Sequence, residues 1–161
     1  MRAVIEVVKA VRAPVAPSRV RSVIGSAAAV PEVAARLPGT GWELSVRISG
    51  DRELKRLNRR FLGEDHATDV LSFPSGERAP GAYLGDIVIS WPAVTRQADE
   101  FGHAEDSELA LLAVHGFLHI LGWDHSTPRE EAEMTRLTLE ALDRFGIAIG
   151  AGRLLNPSPR G

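Results

Sequence analysis

The sequence predicts an α+β domain: a small mixed four-stranded sheet with about five helices against it, one of them buried in the core. Three observations carry this. Four short stretches, 3–11, 42–49, 70–73 and 83–90, are rich in β-branched residues and partly alternating, as half-buried strands are. Longer stretches between and after them show the three-to-four-residue apolar spacing of helices. One of these, from about Asp106 to Leu121, is apolar nearly all round, which places it inside the fold. A chain of 161 residues can bury one genuine core and is short for two. We expect one domain over 1–147 and a flexible, frayed tail over 148–161, where glycines and prolines gather.

Each element has a local reason. AVIEVVKAV (3–11) reads as the first strand. Pro17 and Ser18 open an alanine- and valine-rich helix reaching Leu37, broken near Pro31. Gly39 and Gly41 mark a turn before WELSVRIS (42–49), which alternates cleanly. Ser49 or Asp51 can cap a helix to about Leu62, with Leu54, Leu57 and Phe61 as its apolar stripe. A polar loop, 63–69, leads to a short strand, 70–73, and a loop rich in proline and glycine leads to YLGDIVIS (83–90). Ser90 caps a helix with Pro92 in its first turn, ending near Gly102. After the buried helix, Thr127-Pro128-Arg129-Glu130 is a capping box for a last helix to about Phe145.

Composition narrows the function. There are no cysteines, so a disulfide framework and a thiolate metal site are both excluded; a reducing cytoplasm is the expected location. The N-terminal stretch carries Glu6 and Lys9 and lacks a signal-peptide core. The longest apolar run, Leu109 to Trp123, is interrupted by two histidines and is too short to span a bilayer, so no membrane partner is expected. Net charge is −2, so nucleic-acid binding, if any, must come from a local patch, and no DNA partner is expected. Arginines number seventeen against two lysines, which would suit phosphate contact but reads first as compositional bias.

The chemistry concentrates in HGFLHILGWDH, His115 to His125. Residues four apart share a helical face, so His115 and His119 can aim at one atom. Gly122 can end the helix in the left-handed conformation and let the chain bring His125 to the same point. Three neutral imidazoles without a fourth protein ligand form the donor set of a catalytic zinc site, which keeps one position open. One Zn2+ per chain is the expected cofactor, and other divalent ions suit the same donors. The spacing matches the HExxHxxGxxH pattern of the metzincin proteases, yet Gly116 stands where their glutamate general base would be. Asp124 can either orient a ligating imidazole or cap the turn. Thr68-Asp69 reads as a loop-stabilising pair, Asp86 as a structural hydrogen bonder, Met134 as core, and His66 and His103 as surface residues. The run Lys55, Arg56, Arg59, Arg60 is either a solvated helix face or a phosphate clamp.

These motifs resemble those of the YbeY family of bacterial metal-dependent endoribonucleases. HGFLHILGWDH is similar to the family's HGxLHLxGYDH, LNRRFLGEDHATDVLSFPSG to its LN…DxPTDVLSFP, and YLGDIVIS to its LGDIxIS strand, in the same order over about Leu57 to Met134. The resemblance implies a mixed α/β fold with a metal ion, usually taken as zinc, on His115, His119 and His125. It implies cleavage of single-stranded RNA, maturation of the 3′ end of small-subunit 16S rRNA, ribosome quality control with the ribosome as partner, and a cytoplasmic location. Leu62 occupies a position where family members often carry an arginine for the phosphate; Arg59, one turn earlier, is the expected catalytic stand-in. Ala67 replaces a usual proline. The proton acceptor is unassigned, and the nucleophile is either water or the RNA's own 2′-hydroxyl. Two other readings stand beside the nuclease: a hydrolase of peptides or small molecules, and a non-catalytic ribosome-associated zinc protein.

Overall fold

In the computed structural model, which describes residues 3–149 and Arg153, the chain forms four strands and six helices among the described residues. Their order is β1 (Val4–Lys9), α1 (Pro17–Ala28), α2 (Pro31–Ala34), β2 (Glu43–Ser49), α3 (Asp51–Leu62), β3 (Val70–Pro74), β4 (Tyr83–Ser90), α4 (Trp91–Phe101), α5 (Glu105–Ile120) and α6 (Pro128–Phe145). The sixth helix is the single turn α2: extended backbone at Val30 precedes Pro31, whose fixed φ starts a new helix instead of continuing the old one. The expected tail over 148–161 falls mostly outside the described residues.

The sheet order is β1-β2-β4-β3. Strands β1, β2 and β4 run parallel, which requires helical crossovers, and β3 returns antiparallel to β4. Strand β4 is buried along nearly its whole length, as suits a central strand covered on both faces. Helix α5 lies against β3 and β4, flanked by α1, α4 and α6, and eleven of its sixteen residues are buried. Helix α3 covers part of the opposite face, closing a second, smaller core of Leu54, Leu71 and Val88 with Leu57 and Phe73 beside them. No helix among the described residues is long and apolar enough to cross a membrane.

Local signals hold at several ends. The Ser90 hydroxyl accepts from Ala93 N–H, and the Thr127 hydroxyl accepts from Glu130 N–H, each at the start of its helix. Three expectations need correction. Gly50, not Ser49 or Asp51, precedes α3, and no side chain caps it; Asp51 is drawn instead to the Ser90 hydroxyl and the Arg96 guanidinium. Phe61 leaves the apolar stripe and is 56% exposed, because the buried face of α3 is set by Leu54 and Asn58. His103 is no surface residue: its imidazole is buried against the carboxylate of Glu108. That carboxylate is fully buried and bonded twice over by the Arg153 guanidinium, with Gln97 donating as well.

Candidate metal centre

Helix α5 delivers His115 and His119 one turn apart on a single face. Their rings lie 4.6 Å apart centroid to centroid, and the two Nε2 atoms are 3.1 Å apart. The helix then ends in two bonds that read as a Schellman motif: Gly122 N–H donates to His119 C=O and Trp123 N–H to Leu118 C=O. Gly122 takes φ +99°, a conformation that a side chain would strain. The reversal carries His125 back, with its ring centroid 5.1 Å from that of His119 and 5.7 Å from that of His115. The three histidines each offer a nitrogen, all within 4.8 Å of one another. Two ligands at a Zn–N distance of about 2.0–2.1 Å in tetrahedral geometry lie roughly 3.3 Å apart, so this cluster could hold a metal ion with little rearrangement.

The turn is braced from outside. Asp124 accepts from His125 N–H and from the Ser126 hydroxyl at 2.8 Å each. Those bonds, the hydroxyl foremost, hold its carboxyl below the usual aspartate range. These bonds brace the turn that carries His125. The Arg36 guanidinium stacks 3.6 Å from the ring centroid of Trp123 and donates to the C=O of Leu121, while the indole N–H donates to Glu133. Sequence reasoning missed Arg36, because a partner 85 residues away leaves no local signal.

Gly116 has a spatial reason. A Cβ there would lie 2.7 Å from Ile87 Cγ2, 3.2 Å from the Ser72 hydroxyl and 3.3 Å from Val70 Cγ2. Its carbonyl accepts from that hydroxyl at 2.9 Å. The position where a metzincin carries its base is here the contact between helix and sheet, so a side chain fits only if the packing of Ile87 against α5 gives way.

The histidines open onto a cleft of about 270 Å³ bordered by β3 and by Leu62 at the end of α3. Leu62 itself lines the cleft, whereas Arg59 stands a turn earlier on the exposed face of α3 and is not among the lining residues. Arg56 pairs with Glu53; among the described residues Arg59 and Arg60 enter no ion pair. As basic residues in the last turn of α3 they also face the negative end of the helix dipole. Thr68 and Asp69 are buried behind β3, where the C=O of Asp69 accepts from Ser90 N–H. Asp86 accepts from the Tyr83 hydroxyl, Met134 is buried, and His66 lies exposed in the 63–69 loop.

The comparisons with known proteins agree with this architecture. A family profile described as Endoribonuclease YbeY matches residues 12–146. A protein of that name from Gloeobacter violaceus is 51% identical over 114 residues, covering 66% of this chain and 58% of its own length. One from Bacillus thuringiensis is 38% identical over 138 residues, covering 80% of this chain and 85% of its own. The solution structure of a protein from Thermotoga maritima superposes with a TM-score of 0.57 at 21% identity, covering 98% of this chain and 99% of that one, and so shares the fold. With the profile spanning most of the chain and the histidine triad assembled, this chain belongs to the endoribonuclease YbeY family.

Proposed function

We propose that the chain is a metal-dependent, single-strand-specific endoribonuclease that acts in the cytoplasm on ribosomal RNA, including the 3′ end of the small-subunit species, with zinc as its ion. One observation carries the reading: three imidazole nitrogens from a rigid helix and its following turn converge within 4.8 Å at the wall of an open cleft. An ion bound there supplies a Lewis acid that acidifies water and offsets charge on phosphoryl oxygens. The chain's own residues do the rest. Helix α5 fixes two ligands before any substrate arrives, and the Schellman turn fixes the third. Arg59 and Arg60 are exposed in the last turn of α3, the turn that also carries the cleft-lining Leu62, and a fork of either on phosphate oxygens would orient the strand. Leu62 leaves the cleft wall apolar where relatives often place an arginine, which shifts phosphate handling towards Arg59. Peptide hydrolysis by the metzincin route is disfavoured, since its base position is filled by the contact of Gly116 with Ile87.

The test is purified protein on a labelled single-stranded RNA, with and without chelator, beside the His119→Ala variant. Activity lost in both controls and regained on adding zinc supports the proposal; cleavage surviving in both defeats it. Mapping the product ends separates a 2′-hydroxyl nucleophile, which leaves a cyclic phosphate, from water.

A further inference from the structure

The most unusual surface near the cleft is aromatic. Phe61 is 56% exposed and its neighbour Leu62 46% exposed, two adjacent large apolar residues at the end of an otherwise basic helix. Phe61 is held in place. Its ring meets that of Phe73 edge to face at 5.5 Å, and the Arg60 guanidinium lies 5.3 Å from its centroid. Their immediate chain neighbours, Leu62 and Pro74, line the same cleft as the three histidines. The Phe61 ring does not itself line the cleft; it is 56% exposed, one residue from Leu62, which does, and the Arg60 guanidinium lies over it.

We infer that Phe61 is a stacking platform for one nucleobase of a single-stranded RNA, seated next to the phosphate that enters the cleft. The inference rests on the endoribonuclease reading and adds to it the residue that grips a base. Single strands are held by an aromatic face for the base and cations for the flanking phosphates, which every base can use. Phe61 offers the ring face that the Arg60 guanidinium does not cover, Phe73 meets it edge to face, and Arg59 and Arg60 provide cations with no carboxylate partner among the described residues. The surrounding charge selects a polyanion over an apolar protein partner, since guanidinium groups flanking the ring would have to be desolvated against a nonpolar surface. Phe61 contributes little to the core from its exposed position, and its ring packing is the edge-to-face contact with Phe73.

The experiment uses the metal-loaded protein and a short fluorescein-labelled single-stranded RNA, comparing wild type with Phe61→Ala, Phe61→Leu and Phe61→Trp by anisotropy and by cleavage. Loss of one stacked base corresponds to binding roughly 5- to 140-fold weaker. Phe61→Ala and Phe61→Leu should both show it, in Kd and KM more than in kcat. Phe61→Trp should retain affinity, and its added emission, taken against the native tryptophans, should be quenched by RNA. An RNA with a single abasic position, moved along the strand, should at one position weaken wild type and add nothing to Phe61→Ala. Unchanged binding by Phe61→Ala, or recovery by leucine as complete as by tryptophan, overturns the platform. A wild-type protein that cleaves while Phe61→Ala is unaltered removes this inference alone. A wild type that neither binds nor cleaves RNA removes the nuclease reading and the platform with it. Melting temperatures of all variants, expected to fall by no more than the loss of the Phe73 contact allows, exclude misfolding as the cause.

Discussion

Replacing Gly116 by alanine should destabilise the protein, although the same change in an ordinary helix stabilises it. In an exposed helix interior, glycine to alanine gains about 1 kcal/mol. At Gly116 the new methyl would sit 2.7 Å from Ile87 Cγ2, while carbon atoms rest roughly 3.5–4.0 Å apart, so something must move by about 1 Å. Ile87 is wholly buried in the central strand and stiff at its branched Cβ, and Val70 and Ser72 close the other sides. Overpacking of this kind costs about 1–3 kcal/mol, so the net effect is a loss of about 1 kcal/mol, or roughly 2–4 °C in Tm for a domain of this size. Gly25 in α1, exposed and with nothing within 4 Å of its Cβ position, is the internal reference, and its alanine variant should gain stability. Urea unfolding of both variants, with unchanged m-values, measures the contrast. If Gly116→Ala proves as stabilising as Gly25→Ala, the argument that close packing excludes a side chain there is wrong. By the same geometry Gly116→Glu should push α5 off the sheet and weaken metal binding without creating peptidase activity on casein.

Arg153→Met should cost about 3–5 kcal/mol, because it strands the buried Glu108 carboxylate; the Arg153→Met/Glu108→Gln double variant should recover part of that loss in a denaturation cycle. Burial works against ionisation of Glu108, but bonds from Arg153, His103 and Gln97 win and hold its pKa below the ordinary 4.5. The unfolded chain therefore binds the proton more readily, so this contribution is present above pH 4.5 and fades as pH falls below it; stability measured from pH 7 to pH 3 should fall less steeply in the double variant. Arg59→Ala should lower the slope of log Kd against log salt for single-stranded RNA by about 0.7, the release of one phosphate contact, and Leu62→Arg should raise it by a similar amount. An unchanged slope in both would remove α3 from phosphate binding.

What the sequence exposes is what neighbours in the chain decide. Gly122 and the histidines around it are spaced by the helix itself, so the turn and the cluster could be foreseen, as could the caps at Ser90 and Thr127. Asp51 looked like a cap because its type and place fit one, yet a guanidinium 45 residues away offered it a stronger partner. Phe61 fell on an apolar stripe by periodicity, yet the face that α3 buries runs through Leu54 and Asn58 and leaves Phe61 in solvent. His103 and Glu108 carried no warning of burial, since their charge partner Arg153 lies 45 residues beyond Glu108. Gly116 was legible as the absence of a base, while the reason for that absence, a strand pressed against it, needs the third dimension.

The two histidines on α5 are anchored by a helix whose burial rests on apolar packing, and the third by the short turn after it. Demetallation should thus resemble pulling a bulb from its socket more than dismantling the lamp. Circular dichroism of chelator-treated protein should keep its native signal, and readdition of zinc should restore function without a refolding lag. Loss of activity on chelation can then be assigned to missing chemistry, a separation that small domains folded only by their metal do not permit.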